Sequence, residues 1–247
     1  HIFSEFSMIF GYKFSGMSRI KGELHNMKNF LRRAWAEVHL DRLSGNLAAL
    51  RSLINEDKTQ IACVVKANAY GHDDGNVAAF LETQSVSFFA VSNIKEAENI
   101  RRSGVKGEIL ILGHTPAEYA KELAEFDIIQ AAVSLGYARE LSEAAANVGV
   151  RVKIHMAVDT GMGRIGVCAS DSGSINTAAN DICSAAKLDG IILDGAFTHY
   201  AAADSLDEDD IAYTDAQTER FFAVCDRVKE NGVSLRQPVC ILPSLSK

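Results

Sequence analysis

Hydrophobic residues along this chain follow two different periods. Short, nearly continuous apolar runs predict strands, whereas apolar residues spaced three or four apart predict helices. The predicted strands cover residues 34–40, 60–67, 87–92, 108–113, 128–134, 151–159, 191–199 and 239–242. Strands that are apolar on both faces and alternate with helices indicate a parallel sheet covered by helices. A (β/α)8 barrel and a doubly wound sheet both fit this pattern.

Four apolar stripes place helices between these strands. Each stripe recurs at helical spacing and therefore lies on one helix face. The stripes are Leu43, Leu47, Leu50 and Ile54; Tyr119, Leu123 and Phe126; Tyr137, Leu141, Ala145 and Val148; and Phe221, Cys225 and Val228. Pro116 stands near a predicted helix start, where its missing N–H costs nothing, and Gly149 follows a predicted helix end.

Composition places the chain among soluble, cytoplasmic metabolic proteins. It has 247 residues, 47% of them hydrophobic and 23% charged, with a formal net charge of -7. No basic run could track nucleic-acid phosphates, and no apolar run is long enough to span a membrane. The five cysteines lack the spacing of a metal or redox site, so we expect free thiols and no metal.

The two ends of the chain differ from its middle. Residues 1–26 differ in composition, with four of the chain's 12 phenylalanines in the first 14 positions, whereas Met27 opens a run that leads directly into periodic sequence. We therefore expect residues 1–26 to be an extension without a fold of its own. The barrel domain is expected to occupy residues 27–247.

A lysine closes the second predicted strand, in the sequence IACVVKANAYGH at residues 61–72. At the boundary of the core the ammonium of Lys66 is partly desolvated, which lowers its pKa and frees the amine as a nucleophile or base. Such an amine can form a Schiff base with an aldehyde cofactor. The ordinary alternative is a lysine that extends from the strand end into water.

Two further strand ends carry polar residues. In DTGMGRIG, residues 159–166, three glycines match the dinucleotide pattern GxGxxG, yet the match falls in mid-chain with no helix directly behind it. A tight loop that lets Arg164 reach an anionic oxygen is the better interpretation. His199 ends another buried strand, where it either orients a neighbouring group or simply forms a hydrogen bond at the rim.

Taken together, four segments resemble the alanine racemases, pyridoxal-phosphate enzymes with an N-terminal barrel and a C-terminal β domain. They are AWAEVHLD at 34–41, VVKANAYGH at 64–72, DTGMGRIG at 159–166 and THYA at 198–201, in the family's order. The resemblance implies a (β/α)8 barrel of the TIM type. It also implies interconversion of L- and D-alanine, with D-alanine feeding peptidoglycan synthesis, in a homodimer of full-length chains.

The same resemblance implies a role for five residues. Lys66 would hold pyridoxal 5'-phosphate covalently and act as one of two catalytic bases. Tyr70 would donate to the cofactor phosphate, and Leu112 would pack against the cofactor. Arg164 would contact the phenolic oxygen and help to steer the substrate carboxylate. His199 would join the hydrogen bonds beneath the pyridine ring.

Several family features are replaced in this sequence. After Cys240 the family's His-x-x-Asn-Ser segment and the C-terminal domain, which supplies the second base across the dimer, have no counterpart. Ala157 stands where many members have a lysine that supports the arginine, and Lys153 lies four residues too early to replace it. Asp73 replaces a usual glycine. We therefore expect an incomplete barrel of seven strands that, expressed alone, is poorly soluble and inactive as a racemase.

Two alternatives stay open at this point. A single-domain barrel that holds pyridoxal phosphate without turnover would account for the short chain. A dinucleotide-binding oxidoreductase would depend on Gly161, Gly163 and Gly166 alone.

Overall fold

The computed structural model describes residues 37–55 and 58–241, which form strands and helices in regular alternation. The strands are β1 (Ala62–Val64), β2 (Phe88–Val91), β3 (Glu108–Ile111), β4 (Ile129–Ala132), β5 (Val152–Asp159), β6 (Val167–Cys168), β7 (Ile191–His199) and β8 (Gln237–Ile241). The helices are α1 (Leu40–Ser52), α2 (Lys66–Gly71, a left-handed turn and not a regular α-helix), α3 (Asp74–Thr83), α4 (Ile94–Arg102), α5 (Ala120–Glu125, after a 3₁₀ turn at Ala117–Tyr119), α6 (Leu135–Asn147), α7 (Ile175–Ala185) and α8 (Glu208–Glu230).

All strands pair in parallel, in the order β1-β2-β3-β4-β5-β7-β8, and the short β6 pairs with β5 off this path. Each of the seven strands predicted from residue 60 onward overlaps one strand of this order. Parallel neighbours require crossover connections, and the helices between the strands supply them.

The first predicted strand, residues 34–40, is wrong where it can be compared. Residues 37–39 form no strand, and Leu40 begins α1. Leu43 and Leu47 continue a helical stripe, and Asp41 lies in the first turn, where a carboxylate favours the helix N-terminus. Residues 34–36, the expected extension at residues 1–26 and the tail from residue 242 lie outside the described residues.

The sheet is curled, so that β3 and β8 approach each other across its inner side. In a flat sheet these strands, four steps apart in the order, would be separated by about 19 Å, since neighbouring strands lie about 4.8 Å apart. Arg236, directly before β8, nevertheless forms a hydrogen-bonded ion pair with Glu108 of β3. The fold is therefore a curled parallel α/β barrel, as the family resemblance implies, and not the doubly wound sheet that the apolar pattern also allowed.

Two apolar cores follow from this curvature. The inner core fills the barrel and consists of Phe88, Leu110, Ile129, Ala131, Ala157, Phe197 and Ile241. The outer core lies between the sheet and the helices, and it contains the predicted stripe residues Leu47, Leu123, Leu141 and Phe221. Gly149 follows α6 with a φ of 71°, as predicted for a residue beyond a helix end.

A polar network fills the inner side at the amino ends of the strands. The buried His155 lies 3.1 Å from Asp194 through Nε2 and Oδ2, and Arg236 donates to both carboxylate oxygens of Asp194 at 2.9 and 2.7 Å. Burial alone would raise the pKa of the Asp194 carboxyl. The hydrogen bonds and charges of His155 and Arg236 outweigh burial and hold that pKa well below its usual range.

This network predicts an acid-sensitive contribution to stability. A carboxyl group with a lowered pKa stabilises the fold above its unfolded pKa of about 3.9, and this contribution is lost as the pH falls towards the folded value. At pH 6 we expect Asp194→Asn to lower the free energy of unfolding by about 2 kcal/mol, because hydrogen bonds to a charged acceptor are lost. Urea unfolding should show this difference shrinking between pH 6 and pH 2.5. A constant difference, or an equal effect of the exposed Asp226→Asn, would contradict the assignment.

Candidate active site

Three polar side chains meet at the carboxyl-end edge of the barrel. Lys66 comes directly after Val65, whose N–H makes the last hydrogen bond from the end of β1 to β2. Arg164 lies in the loop between β5 and β6, and His199 is the last residue of β7. Parallel strands bring such positions to one rim, which is where α/β barrels carry their sites. The sequence prediction that these residues share one end of the sheet is therefore consistent with the fold.

An opening on the inner side joins two of the predicted residues. Its lining consists of Ala157, Val158, Asp159, Met162, Arg164, Ile165, Phe197 and His199. Ala157 and Phe197 belong to the inner core and form the apolar floor, and Leu112 packs against the same core. The floor is apolar, whereas the rim carries two cations and a histidine.

The charges of Lys66 and Arg164 both act on the imidazole of His199, so the three rim residues lie close enough to interact. Partial burial, followed by the nearby charges of Arg164 and Lys66, lowers the pKa of His199 to about 4. The imidazole is therefore neutral at pH 7. Among residues 37–55 and 58–241, the Arg164 guanidinium makes no hydrogen bond or ion pair, so its donors are available to an anion.

The glycine-rich loop is organised by the carboxylate of Asp159. Its Oδ1 accepts from the backbone N–H groups of Gly161 and Gly163, both at 3.0 Å, and Oδ2 accepts from that of Arg164 at 3.1 Å. At Gly166, with a φ of 120°, an added Cβ would lie 2.8 Å from backbone atoms of β5. β6 follows this loop and α7 begins only at residue 175, so the arrangement is not that of a dinucleotide fold.

Removal of this carboxylate should release the loop. Asp159→Ala removes three charge-assisted hydrogen bonds, each worth about 1.5–3 kcal/mol. We expect trypsin to cleave after Arg164 at least about tenfold faster, since a loss of 1.4 kcal/mol raises the open population tenfold. Asp171→Ala is the matched control, because Asp171 accepts from Gly173 and Ser174 in another loop. Equal cleavage of both variants at this position would contradict the role of Asp159.

Helix α8 holds the same loop from outside the barrel. The Tyr213 hydroxyl donates to the Gly161 carbonyl at 2.6 Å, and the Arg220 guanidinium donates to the Thr160 carbonyl at 2.9 Å. The amide of Gln217, wholly buried, donates to the Thr160 hydroxyl at 3.1 Å and to the His199 carbonyl at 3.3 Å. The sequence prediction did not include these residues, although their spacing of four and three positions places them on one helix face.

Tyr70 lies in the turn that follows Lys66. Residues 67–70 all have positive φ values, between 49° and 56°, and form a left-handed turn. Tyr70 is half-buried there. Nothing in the residue types of this turn, which contains no glycine before position 71, predicted that conformation.

The replacements noted in the sequence have local explanations. Ala157 is buried in the inner core, and Lys153 pairs with Asp127 at 2.6 Å near the amino ends of the strands. Lys153 therefore does not support Arg164. Asp73 adopts a φ of 73°, and its carboxylate accepts from the backbone N–H of Asn76 at 3.2 Å. This cap of α3 offsets part of the cost of a side chain at a position suited to glycine.

The fold and the rim define a class: an α/β-barrel protein whose site combines a lysine, an unpaired arginine and a neutral histidine at the carboxyl ends of the strands. Comparison with known proteins narrows this class. The chain belongs to the alanine racemase N-terminal domain family, which it matches over residues 38–244. Among the described helices, none has the length and apolar character that a membrane span requires.

Individual relatives agree with this assignment. The chain is 37% identical over 205 residues to an alanine racemase of Clostridium perfringens, covering 83% of this chain and 50% of the relative. A solved alanine racemase of Clostridium difficile 630 superposes with a TM-score of 0.76 at 32% identity, over 87% of this chain and 56% of that one. An alanine racemase of Bacillus anthracis, solved with bound L-Ala-P, gives a TM-score of 0.73 at 30% identity, over 86% and 52%. The chain thus spans about half the length of the curated relatives it matches.

Proposed function

We propose that this chain forms the cofactor-binding barrel of a pyridoxal-phosphate-dependent alanine racemase. The observation that carries the proposal is the rim itself, where the charges of Lys66 and Arg164 act on a half-buried, neutral His199. A primary amine, a free guanidinium and a neutral imidazole around an apolar floor suit a flat, anionic aldehyde. The relatives named alanine racemases support the reaction and the substrate.

The residues of the site fit the proposed cofactor. Leu112, Ala157 and Phe197 offer apolar surface to an aromatic ring. The unpaired guanidinium of Arg164 suits an oxygen anion, which planar donors bind well. We further propose that the half-buried Tyr70 donates its hydroxyl to the phosphate and that the Lys66 amine bonds to the aldehyde.

The charge of each rim residue indicates its role in the reaction. When bound, pyridoxal phosphate supplies an electron sink for the α-carbon of an amino acid. The Lys66 amine would be the base that accepts the α-proton on one face. Arg164 attracts the substrate carboxylate. His199 is neutral and therefore adds no cation beneath the ring.

Exchange of the α-hydrogen tests this proposal without requiring a second base. The chain is loaded with pyridoxal phosphate and incubated in D2O with L-alanine or D-alanine, and NMR follows the α-hydrogen. We expect exchange of one enantiomer without inversion, because a single base reaches one face. Inversion requires a proton donor on the opposite face, which the family resemblance assigns to the C-terminal domain.

The alternative function gives a different result in the same experiment. A barrel that only holds the cofactor would show a visible absorption band but no exchange of either enantiomer. A chain with neither band nor exchange would contradict both functions. The homodimer and the supply of D-alanine for peptidoglycan are part of the racemase proposal. Both would be withdrawn if the racemase function were contradicted.

A further inference from the structure

The left-handed turn after Lys66 is costly for the residues that form it. Ala67, Asn68, Ala69 and Tyr70 have φ values of 52°, 56°, 49° and 55°. L-residues with a Cβ disfavour this region, so such a segment persists only where its surroundings over-determine it. The contacts that hold the turn therefore fix where Lys66 and Tyr70 lie relative to each other.

A single carboxylate on α4 holds the start of the turn. Oε1 of Glu96 accepts a hydrogen bond from the backbone N–H of Ala67 at 3.0 Å. Oε2 accepts from the backbone N–H and the hydroxyl of Ser92, at 2.9 and 2.8 Å. Ala67 is the residue after Lys66, and Ser92 is the residue after β2. Glu96 thus joins the ends of two neighbouring strands at the rim.

The same helix also reaches the middle of the turn. Asn99 donates from Nδ2 to Oδ1 of Asp74 at 2.5 Å, and the backbone N–H of Asp74 donates to Oδ1 of Asn68 at 3.1 Å. The Asn68 carbonyl accepts from the backbone N–H of Asp73 at 3.1 Å. Two residues of α4, three positions apart, therefore support the turn, one directly and one through Asp74.

We propose that Glu96 is a positioning residue, which sets the orientation of Lys66 by holding the N–H of Ala67. Both carboxylate oxygens accept from N–H groups, so a glutamine at this position cannot satisfy both sides. Its NH2 group would face either the Ala67 N–H or the Ser92 donors. The turn would then lose the hydrogen bonds on one side of residue 96. The Lys66 amine would no longer be held in one position. The proposal rests on the proposed function, since its readout is the bond between Lys66 and pyridoxal phosphate.

The test compares Glu96→Gln with Glu98→Gln, the same change two residues along the same helix. Among the described residues, the Glu98 carboxylate makes no hydrogen bond or ion pair. Each protein is titrated with pyridoxal phosphate, and the visible band gives the Kd and the pH midpoint of the lysine–cofactor bond. We expect Glu96→Gln to raise the Kd at least about tenfold, as for the loss of one charge-assisted hydrogen bond, and to shift the pH midpoint. Glu98→Gln should match the wild type in both.

The possible outcomes separate this proposal from the proposed function. If the wild type shows the band and Glu96→Gln has an unchanged Kd and pH midpoint, Glu96 does not position Lys66. If the wild type shows no band, the proposed function fails and this assignment fails with it. Should Glu96→Gln not fold, Ser92→Ala decides the question, because it removes the hydroxyl donor to Oε2 and, besides that, only a 3.3 Å hydrogen bond from the exposed Asn93 amide. We expect it to raise the Kd about threefold, less than Glu96→Gln does, because the backbone N–H of residue 92 still donates to Oε2, and an unchanged Kd would overturn the proposal.

Discussion

Replacing Lys66 with alanine is expected to abolish both the visible absorption band of the cofactor-loaded chain and the α-hydrogen exchange. The amine is the group that bonds to the aldehyde and the base that accepts the proton, so both functions are lost together. We expect exchange to fall below about a thousandth of the wild-type rate, within the range for loss of a positioned base. Absorbance spectra and NMR in D2O measure the two effects on the same sample.

A matched control separates this loss from a general loss of lysine charge. Lys187 is exposed and follows α7 on another part of the surface. Lys187→Ala should retain the band and the exchange rate of the wild type. If Lys66→Ala kept the band, another amine would be holding the cofactor, and the site described above would be wrong.

Replacing Phe221 with alanine is expected to lower the free energy of unfolding by about 3–5 kcal/mol. Phe221 lies on α8 and is wholly buried in the outer core, so its removal leaves a cavity. Helix α8 also holds the glycine-rich loop, so a loosened α8 should in addition weaken the rim. Urea unfolding, with the midpoint shifted and the slope unchanged, measures the effect.

The next residue in the chain provides the control. Phe222 is 45% exposed, and its ring lies 5.7 Å from that of Phe221. Phe222→Ala loses an aromatic contact but creates no buried cavity, so we expect a loss of about 1 kcal/mol or less. Similar losses for the two variants would show that α8 does not pack as described.

The sequence predicts those elements of the fold whose residues are buried and therefore apolar. Strands covered on both faces are largely apolar, which is why the sequence predicts β2, whose four residues FFAV are all apolar and all buried. Strand ends converge at one rim, which is why the sequence alone suffices to group Lys66, Arg164 and His199. The prediction of the first strand was wrong because the apolar residues at 37–40 fit both the alternation of a strand and the spacing of a helix. In the structure, α1 begins at Leu40.

The remaining features depend on contacts between residues far apart in the chain. The pairing of His155 with Asp194 spans two strands, and Glu96 reaches a residue that lies 29 positions earlier. No local pattern encodes such partners. The left-handed turn contains alanine, asparagine and tyrosine before its glycine, so its backbone follows from its surroundings rather than from its own residue types. β6 has only two residues, too few for any period to reveal.

The proposed function depends above all on a covalent bond between Lys66 and pyridoxal phosphate at the rim of the barrel. Borohydride reduction of the cofactor-loaded chain, followed by peptide mass spectrometry, locates that bond. We expect the added mass on the peptide containing Lys66, in proportion to the visible band lost on reduction. Labelling spread over exposed lysines such as Lys187, or confined to a lysine elsewhere, would contradict the assignment of Lys66.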